Sequence, residues 1–496
     1  MRGYAIKYKV TIVAGLLIVA TVIGMALVNI GLLRDQRWQF LLLAGLLIVG
    51  LVLASGRPGI TTAFVFIFSM TTQVGMNIPQ GPAWHHGGAA DVFQIFIFDV
   101  IFVPLGGMWV VQWLSERKRR LRLDLVDMVP LAFVVWSSIT IVLSVSPYHS
   151  LFQIYLMLKV YFFYLFVKHW VDNWRKVETV SLALAAGLIF QSLLIFAQFI
   201  LQENIGLMGP MEDRPVWLGQ QIFNRPGGTV GSDQVVGSYL GLLLPIALAG
   251  LLVTLPYWQG LLYGVAFVVG QIALVMTLSR AGWIQFGAAL LLFGLIFFKR
   301  VGFRMWALTL VIGWTTVLIL MELTVIGDLV KMRVLEFDPI TTFGRLELAK
   351  VAWNMIEANP IFGVGLNTFR FVAPQYDTTG ITFVVQAAVH NIPLLVWAET
   401  GTVGLLLFLA FPLLVCWRLW DYQRHSGGPS TAFTAAILVG LIGFFVGGLM
   451  DSNYANQLNI VHFWVVSGLG MAITRLGTKK FPFPSVADND HILGIV

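Results

Sequence analysis

Residues 390–408 read HNIPLLVWAETGTVGLLLF, with a histidine at the start of a long apolar segment. If this segment is one straight helix, the residues 11 and 14 positions after His390 lie within about 40° of the histidine's face, at about 100° per residue. Those residues are Gly401 and Gly404. The spacing predicts a stripe without side chains below the histidine, where a partner helix or a lipid chain packs closely. A capped helix start with two packing glycines is the alternative interpretation.

The composition around this segment is that of a membrane protein. Of 496 residues, 58% are hydrophobic and only 11% are charged, and the mean hydropathy is +0.84. Soluble domains carry roughly 25% charged residues, and a helix that spans a bilayer needs about 20 apolar residues. The net charge of +7 therefore indicates basic cytoplasmic loops rather than nucleic-acid binding. The single cysteine, Cys416, excludes an internal disulfide.

The apolar segments predict an all-α polytopic fold with about fourteen transmembrane helices and both termini in the cytoplasm. The predicted spans are 10–33, 38–54, 59–78, 92–114, 126–145, 151–171, 177–201, 233–254, 260–278, 283–298, 305–325, 391–416, 432–450 and 458–475. We interpret the first span as a retained signal anchor. The basic cluster at 117–122 orients the chain, since loops assigned to the cytoplasm hold 20 Lys and Arg residues and outer loops hold 10.

These spans divide the chain into six parts. They are N-terminal membrane helices (1–201), an outer loop (202–232), further membrane helices (233–325), a large outer loop (326–390), C-terminal membrane helices (391–475) and a cytoplasmic tail (476–496). The large loop lies between the eleventh and twelfth spans. Helical spacing of its apolar residues predicts an amphipathic helix from Thr342 to Ala358, which Asn359-Pro360 ends, because the residue before proline disfavours helix.

Three of the arginines on the predicted outer side are candidates for anion binding, because basic residues are disfavoured on that side. Arg280 occupies a very tight turn between two spans, so its guanidinium snorkels to a lipid phosphate or binds another anion. Arg345 is predicted in the first turn of the loop helix, where it either forms an anion site with free backbone N–H groups or pairs with Glu347 or Asp338. Arg225, beside Pro-Gly-Gly, is a weaker member of the same group.

His390 is the histidine closest to these arginines in the predicted topology. Histidine has an unperturbed pKa of about 6.5, so it accepts a proton near neutral pH. A structural histidine at a helix start is the alternative. The sequence shows no metal-ligand spacing and no phosphate-binding glycine loop, so we expect chemistry without a metal, a nucleotide or another cofactor.

Short motifs occur in the order typical of one family. They are Gly228-Thr229, Ser279-Arg280-Ala281-x-Trp283, Gly344-Arg345, Asn359-Pro360-x2-Gly363-x-Gly365 and His390-Asn391-x9-Gly401-x2-Gly404. Over roughly residues 227–411, the chain resembles the bacterial O-antigen ligase and Wzy-type polymerase family (WaaL-like). The resemblance covers under half of the chain. It implies a GT-C-like glycosyltransferase of the bacterial inner membrane, with its active site facing the periplasm.

The resemblance also implies substrates and residue roles. The donor is a glycan on undecaprenyl diphosphate, and the acceptor is a hydroxyl group of a lipid or glycan. His390 is the candidate base, and Arg280 and Arg345 bind the diphosphate and stabilise it as leaving group. Arg225 and Asn391 are secondary candidates for diphosphate binding. The stripe at Gly401 and Gly404 would then hold the polyprenyl chain or the helix that lines its groove. Such enzymes serve lipopolysaccharide or exopolysaccharide synthesis in the cell envelope.

Two alternatives stay open at the level of the sequence. A polymerase uses the same donor with a second lipid-linked glycan as acceptor, and the excess of spans before residue 200 weakens the assignment to a ligase. A secondary transporter, which belongs to another class, accounts for the ionisable residues Asp99, Lys159 and Glu399 within predicted spans. A purely structural membrane protein leaves the outer arginines unexplained.

Overall fold

A computed structural model describes residues 52, 55–78, 93–115, 123–203, 215–218, 221–253, 256–296, 327–330, 339–385, 387–427, 429–452 and 456–477. The helices are α1 (Pro58–Thr72), α2 (Ile97–Ser115), α3 (Leu125–Thr140), α4 (Pro147–Trp170), α5 (Trp174–Leu201), α6 (Asp233–Leu252), α7 (Tyr257–Met276), α8 (Arg280–Ile296), α9 (Pro339–Ala358), α10 (Phe369–Val372), α11 (Ile381–Val384), α12 (Ile392–His425), α13 (Pro429–Gly448) and α14 (Gln457–Gly477). Two antiparallel hairpins pair β1 (Gly75–Ile78) with β2 (Phe93–Phe96), and β3 (Pro215–Leu218) with β4 (Gln221–Asn224).

The architecture is that of an all-α polytopic membrane protein. Within the described part of the chain, nine helices are long and apolar enough to cross a membrane, namely α2 to α7 and α12 to α14. Helices α1 and α8 are shorter and apolar, and they coincide with two further predicted spans. The predicted spans 10–33 and 305–325, and 38–54 apart from residue 52, lie outside the described residues. The total of fourteen spans therefore stays a prediction.

Two predicted spans have the wrong boundaries at the first hairpin. Helix α1 ends at Thr72 because Gln73 adopts a left-handed conformation (φ 51°), whereas the span was predicted to continue to residue 78. Residues 75–78 instead form β1. The span predicted from residue 92 opens with β2, and its helix begins only at Ile97. Uniformly apolar segments fit a strand and a helix equally well, so periodicity could not separate them.

The helix bundle is centred on α4, α6, α13 and α14, whose most apolar 18-residue stretches are 78–89% buried. Helix α4 packs on α14, α6 packs on α7 and α13, and α3 packs on α12. Van der Waals packing of this kind is the main force between helices in a membrane, because lipid tails are as apolar as the side chains they replace. A second, smaller core joins α9 and the segment after it to the start of α12, through Met355, Phe369 and Ala398.

Candidate functional site

His390 lies at the mouth of α12 and forms a pair with Asp451, which follows α13. The His390 Nδ1 atom is 3.2 Å from Asp451 Oδ1. The histidine side chain is 18% exposed, whereas that of Asp451 is 4% exposed. The backbone N–H of Ser452 donates to the same carboxylate oxygen at 2.8 Å. A buried carboxylate on Nδ1 fixes the tautomer that carries hydrogen there, so that Nε2 is left as the proton acceptor.

Asn391 is the N-cap of α12. Its side-chain oxygen accepts the backbone N–H of Leu394 at 2.9 Å, and its amide nitrogen donates to the carbonyl of Leu449 at 3.1 Å. The first contact satisfies one of the free N–H groups at the helix start. The second ties that start to the end of α13, two residues before Asp451. The geometry therefore gives Asn391 a clear role in holding the His390–Asp451 pair together.

The prediction of a straight glycine stripe below His390 is wrong. Helix α12 is broken at Gly401, whose φ of 68° and ψ of −176° belong to a region that is essentially restricted to glycine. A Cβ there would overlap the carbonyl oxygen of Ile361. Gly401 thus makes room for the large loop, and Gly404, beyond the break, lies against Thr400 and Trp136.

The loop after α9 is fastened to this break by backbone contacts. The N–H of Val364 donates to the carbonyl of Ala398 at 3.1 Å, and the N–H of Thr402 donates to the carbonyl of Pro360 at 2.8 Å. Glu399, which is 7% exposed, accepts the N–H groups of Asn367 at 2.9 Å and Phe369 at 3.0 Å. The sequence interpretation missed this anchoring role and treated Glu399 as an intramembrane charge.

Helix α9 carries Arg345 toward His390. The rings of Trp353 and Trp397 are 5.8 Å apart, and Pro360 bonds to Thr402 further along. Gly344, beside Arg345, lies near Val385, which precedes His390 by five residues. These contacts occur in the same order along both parts of the chain, so α9 and the first segment of α12 run side by side in the same direction. At the common rise of about 1.5 Å per residue, Arg345 therefore lies near the level of His390.

The expected environment of Arg345 needs correction. Helix α9 begins at Pro339 rather than Thr342, so Arg345 is in the second turn, and the argument from free N–H groups at a helix start does not apply to it. Glu347 pairs with Lys350 at 2.6 Å, and Asp338 lies outside the described residues. The Nε atom of Arg345 is buried and has no hydrogen-bond partner among the residues that the structure describes.

Arg280 approaches the pair from α8. It is the first residue of that helix, after Leu278 with a left-handed φ of 54° and Ser279, whose hydroxyl accepts the N–H of Gly282 at 3.3 Å. The serine thus acts as an N-cap, and it fixes the place where the arginine leaves the backbone. The predicted tight turn is confirmed.

Helix α13 relates the level of Arg280 to that of His390. Ala289 lies against Gly443, and Gln285 lies against Gly447, so α8 and α13 are antiparallel. Ala281 is four residues before Gln285, and Asp451 is four residues after Gly447. Asp451 therefore lies at about the level of Ala281, which is next to Arg280 in the sequence. Gly448 also contacts Ile392 at the start of α12. Arg280, Arg345 and the His390–Asp451 pair therefore lie at the same end of the bundle.

Arg225 lies at the same end, in an ion pair of its own. Its Nη1 is 2.7 Å from Asp233 Oδ2, and both side chains are largely buried. Gly237, one turn into α6, lies against Ser279, so the pair sits about one turn beyond the start of α8. Binding of a diphosphate by Arg225 must compete with Asp233.

Two further polar residues lie in the loop. Burial lowers the pKa of Arg370, whose guanidinium lies 4.6 Å above the ring of Phe371. Slight desolvation favours a higher pKa for Asp377, but hydrogen bonds from the backbone and side chains of Thr382 and Thr379 outweigh it and hold the pKa well below its ordinary value. These bonds fix the start of α11. Neither residue was singled out from the sequence.

The end of the bundle thus gathers a histidine–aspartate pair and two cationic side chains from α8 and α9. Residues 264–409 match the family model described as O-antigen ligase. This match confirms the resemblance to the O-antigen ligase family, and it includes Arg280, Arg345 and His390. Asp451 lies beyond the O-antigen ligase match, as do Arg225 and Asp233. A search of curated proteins finds no relative that matches the chain.

Asp451 is the site residue that sequence reasoning missed. It follows His390 by 61 residues, and no short motif joins the two. The available signal was topological, since a carboxylate directly after a predicted outward-running span must emerge on the same side as His390. In the described part of the chain, no group of three or more His, Cys, Asp or Glu side chains is arranged to hold a metal ion.

Proposed function

We propose that the protein is a membrane glycosyltransferase of the O-antigen ligase type. It transfers a glycan from undecaprenyl diphosphate to a hydroxyl acceptor at the periplasmic face of the bacterial inner membrane. The observation that carries this proposal is the His390–Asp451 pair at the level of two arginines within the O-antigen ligase match. The matched family supports a lipid-linked glycan as substrate.

The reaction is a single displacement at the anomeric carbon of the donor. The acceptor oxygen forms a bond to that carbon while the bond to the diphosphate oxygen breaks and takes its electron pair with it. His390 Nε2 accepts the acceptor's hydroxyl proton, and the Asp451 carboxylate stabilises the resulting imidazolium. Arg280 and Arg345 stabilise the negative charge that develops on the departing diphosphate. Each step uses only groups of this chain and the two substrates.

Alanine variants at the three positions test the assignment. We expect His390→Ala, Arg280→Ala and Arg345→Ala to lose transfer of lipid-linked glycan while the protein still inserts into the membrane. Removal of a general base costs about 10²–10⁴ in rate. Matched controls are His425→Ala and Arg424→Ala, because both residues are exposed at the opposite end of α12. Normal transfer by all three site variants would contradict the assignment.

A polymerase that uses the same donor is the second candidate. The geometry supports it equally, because the acceptor differs and the proposed groups at the donor do not. Glycan analysis of a deletion strain separates the two functions. Loss of all polymer from its surface anchor indicates a ligase, whereas single repeat units on the anchor indicate a polymerase.

The transporter alternative loses part of its motivation. Lys159 Nζ is 3.1 Å from Asp99 Oδ2, so two of the three ionisable residues compensate one another, and Glu399 binds backbone N–H groups of the loop. Ionisable residues on a transport path are expected to face a cavity or exchange partners. Counterflow of a labelled solute in proteoliposomes without glycan transfer would favour the transporter.

A further inference from the structure

A cavity of about 370 Å³ lies at the end of the bundle opposite to His390. Helix α4 defines the two ends. Near its start, Ser150 Oγ donates to the carbonyl of Leu366 in the large loop at 2.6 Å, whereas Trp170 at its end lines the cavity. The cavity is therefore separate from the proposed active site by the length of a membrane helix. Its volume is in the range of small-molecule sites.

Two cationic and two indole side chains line this cavity. They are Arg57 before α1, Lys176 in the first turn of α5, Trp109 of α2 and Trp170 of α4, together with Gln112 and the first turn of α1. Arg57 is exposed, and no carboxylate pairs with it among the described residues. Lys176 Nζ donates to the carbonyl of Trp170 at 2.9 Å and lies 4.8 Å from the ring of Trp170.

The charge balance of the cavity favours an anion. Lys176 is paired with Asp172 at 2.9 Å, and the side chains are 20% and 38% exposed. Arg57 and Lys176 are both positive and Asp172 is the one carboxylate paired here, so the cavity carries a net positive charge. Gln112, which is exposed, adds an amide donor. Guanidinium, ammonium and amide groups together match the oxygens of a phosphate group.

The surface beside the cavity is apolar and exposed. Only 17% of the most apolar 18-residue stretch of α2 is buried. Val111 and Leu114, which are close to Gln112 in the sequence, are 61% and 68% exposed. Tryptophan is enriched at the level of lipid headgroups, and basic pockets between helices on the cytoplasmic side bind acidic headgroups. A ligand with a phosphate in the cavity and acyl chains along α2 satisfies both surfaces.

We propose that this cavity binds the phosphodiester headgroup of an anionic phospholipid. Arg57 and Lys176 contact the phosphate, Trp109 and Trp170 flank the glycerol backbone, and the acyl chains lie along the exposed side of α2. The headgroup joins α1, α2, α4 and α5, which the protein brings together here. The site does not depend on the proposed glycosyl transfer.

Lipid binding to the purified, delipidated protein tests the site. The probes are phosphatidylglycerol, zwitterionic phosphatidylcholine and soluble sn-glycerol 3-phosphate, and binding is followed by native mass spectrometry and by the shift of Tm. We expect preference for phosphatidylglycerol, with about fivefold weaker binding for each charge removed in Arg57→Gln and Lys176→Gln. Lys176→Arg is expected to retain binding, which separates loss of charge from misfolding. Size-exclusion profiles of all variants provide a second check on folding.

Arg175→Gln is the matched control, because Arg175 is an exposed neighbour that does not line the cavity. Equal weakening by this variant would overturn the site, since it would indicate a general effect of surface charge. Equal binding of phosphatidylcholine would overturn the preference for an anionic lipid. Binding of sn-glycerol 3-phosphate as tightly as phosphatidylglycerol would overturn the assignment to a lipid and identify a soluble phosphate ligand instead.

Discussion

Replacement of Asp451 by asparagine tests whether the carboxylate assists His390, because the histidine itself stays in place. Asparagine keeps the size of the side chain and removes its charge. The contact with His390 is 3.2 Å long, and the carboxylate is 4% exposed, so solvent screens the pair only weakly. Hydrogen bonds to charged groups contribute about 1.5–3 kcal/mol. If that contribution is made mainly in the transition state, where the imidazolium forms, the rate falls about ten- to 150-fold, at about 1.4 kcal/mol per factor of ten.

The assay is the initial rate at which the purified enzyme in proteoliposomes consumes lipid-linked glycan from the host's own membranes. We expect Asp451→Asn to lower kcat with little change in KM for the donor, because in the proposed reaction the carboxylate acts on the base and not on the diphosphate. The chain offers a matched control in Asp421→Asn, since Asp421 lies 3.4 Å from His425 in an exposed pair at the opposite end of α12.

Two results would refute this reasoning. An unchanged kcat for Asp451→Asn would show that the carboxylate does not assist the histidine. An equal loss in Asp421→Asn would show that the effect is not specific to the site. In the first of these cases, an accompanying fall in Tm would assign Asp451 to stability alone.

Three further predictions concern the loop and its attachment. Glu399→Ala leaves two buried N–H groups without their acceptor. We expect the free energy of unfolding to fall by about 1–3 kcal/mol for each group, and the loop after α9 to be cleaved faster by a protease. Unchanged proteolysis would contradict the anchoring role. Gly401→Ala places a Cβ against Ile361 and forces a conformation that costs about 1–3 kcal/mol in backbone strain alone, so we expect Tm to fall. The control Gly107→Ala has open space around its Cβ, so we expect its Tm to be unchanged or higher. The pKa of Asp377 is lowered in the folded loop. Its stabilising effect is therefore fully present above the unfolded pKa of about 3.9, and it is lost as pH falls toward the lower folded pKa. We expect hydrogen exchange of the loop between pH 5 and pH 3 to depend more on pH in the native protein than in Asp377→Asn.

Much of this fold was predictable from apolar segments. The spans that became α3 to α7 were located within a few residues, because a long apolar helix is the strongest signal that a membrane sequence carries. The loop helix was also predicted, although its start was placed three residues late. The motifs located Arg280, Arg345 and His390, and the family match supports their region.

The remaining features depend on contacts between distant parts of the chain. The break at Gly401 exists because the loop at Ile361 packs against it, and a helical wheel assumes that no such partner is present. Glu399 has the same sequence context whether it faces lipid, a transport path or the N–H groups of Asn367 and Phe369. Asp451 needed a fold that returns α13 to the mouth of α12 before its relation to His390 became visible.

The attachment of the large loop to α12 has a consequence for how this protein can diverge. The joint is made from backbone groups at Pro360, Val364, Ala398 and Thr402, plus the carboxylate of Glu399. Bonds between backbone groups persist when side chains change. Substitutions at the exposed residues of the loop therefore leave this joint intact, and with it the position of the loop on α12.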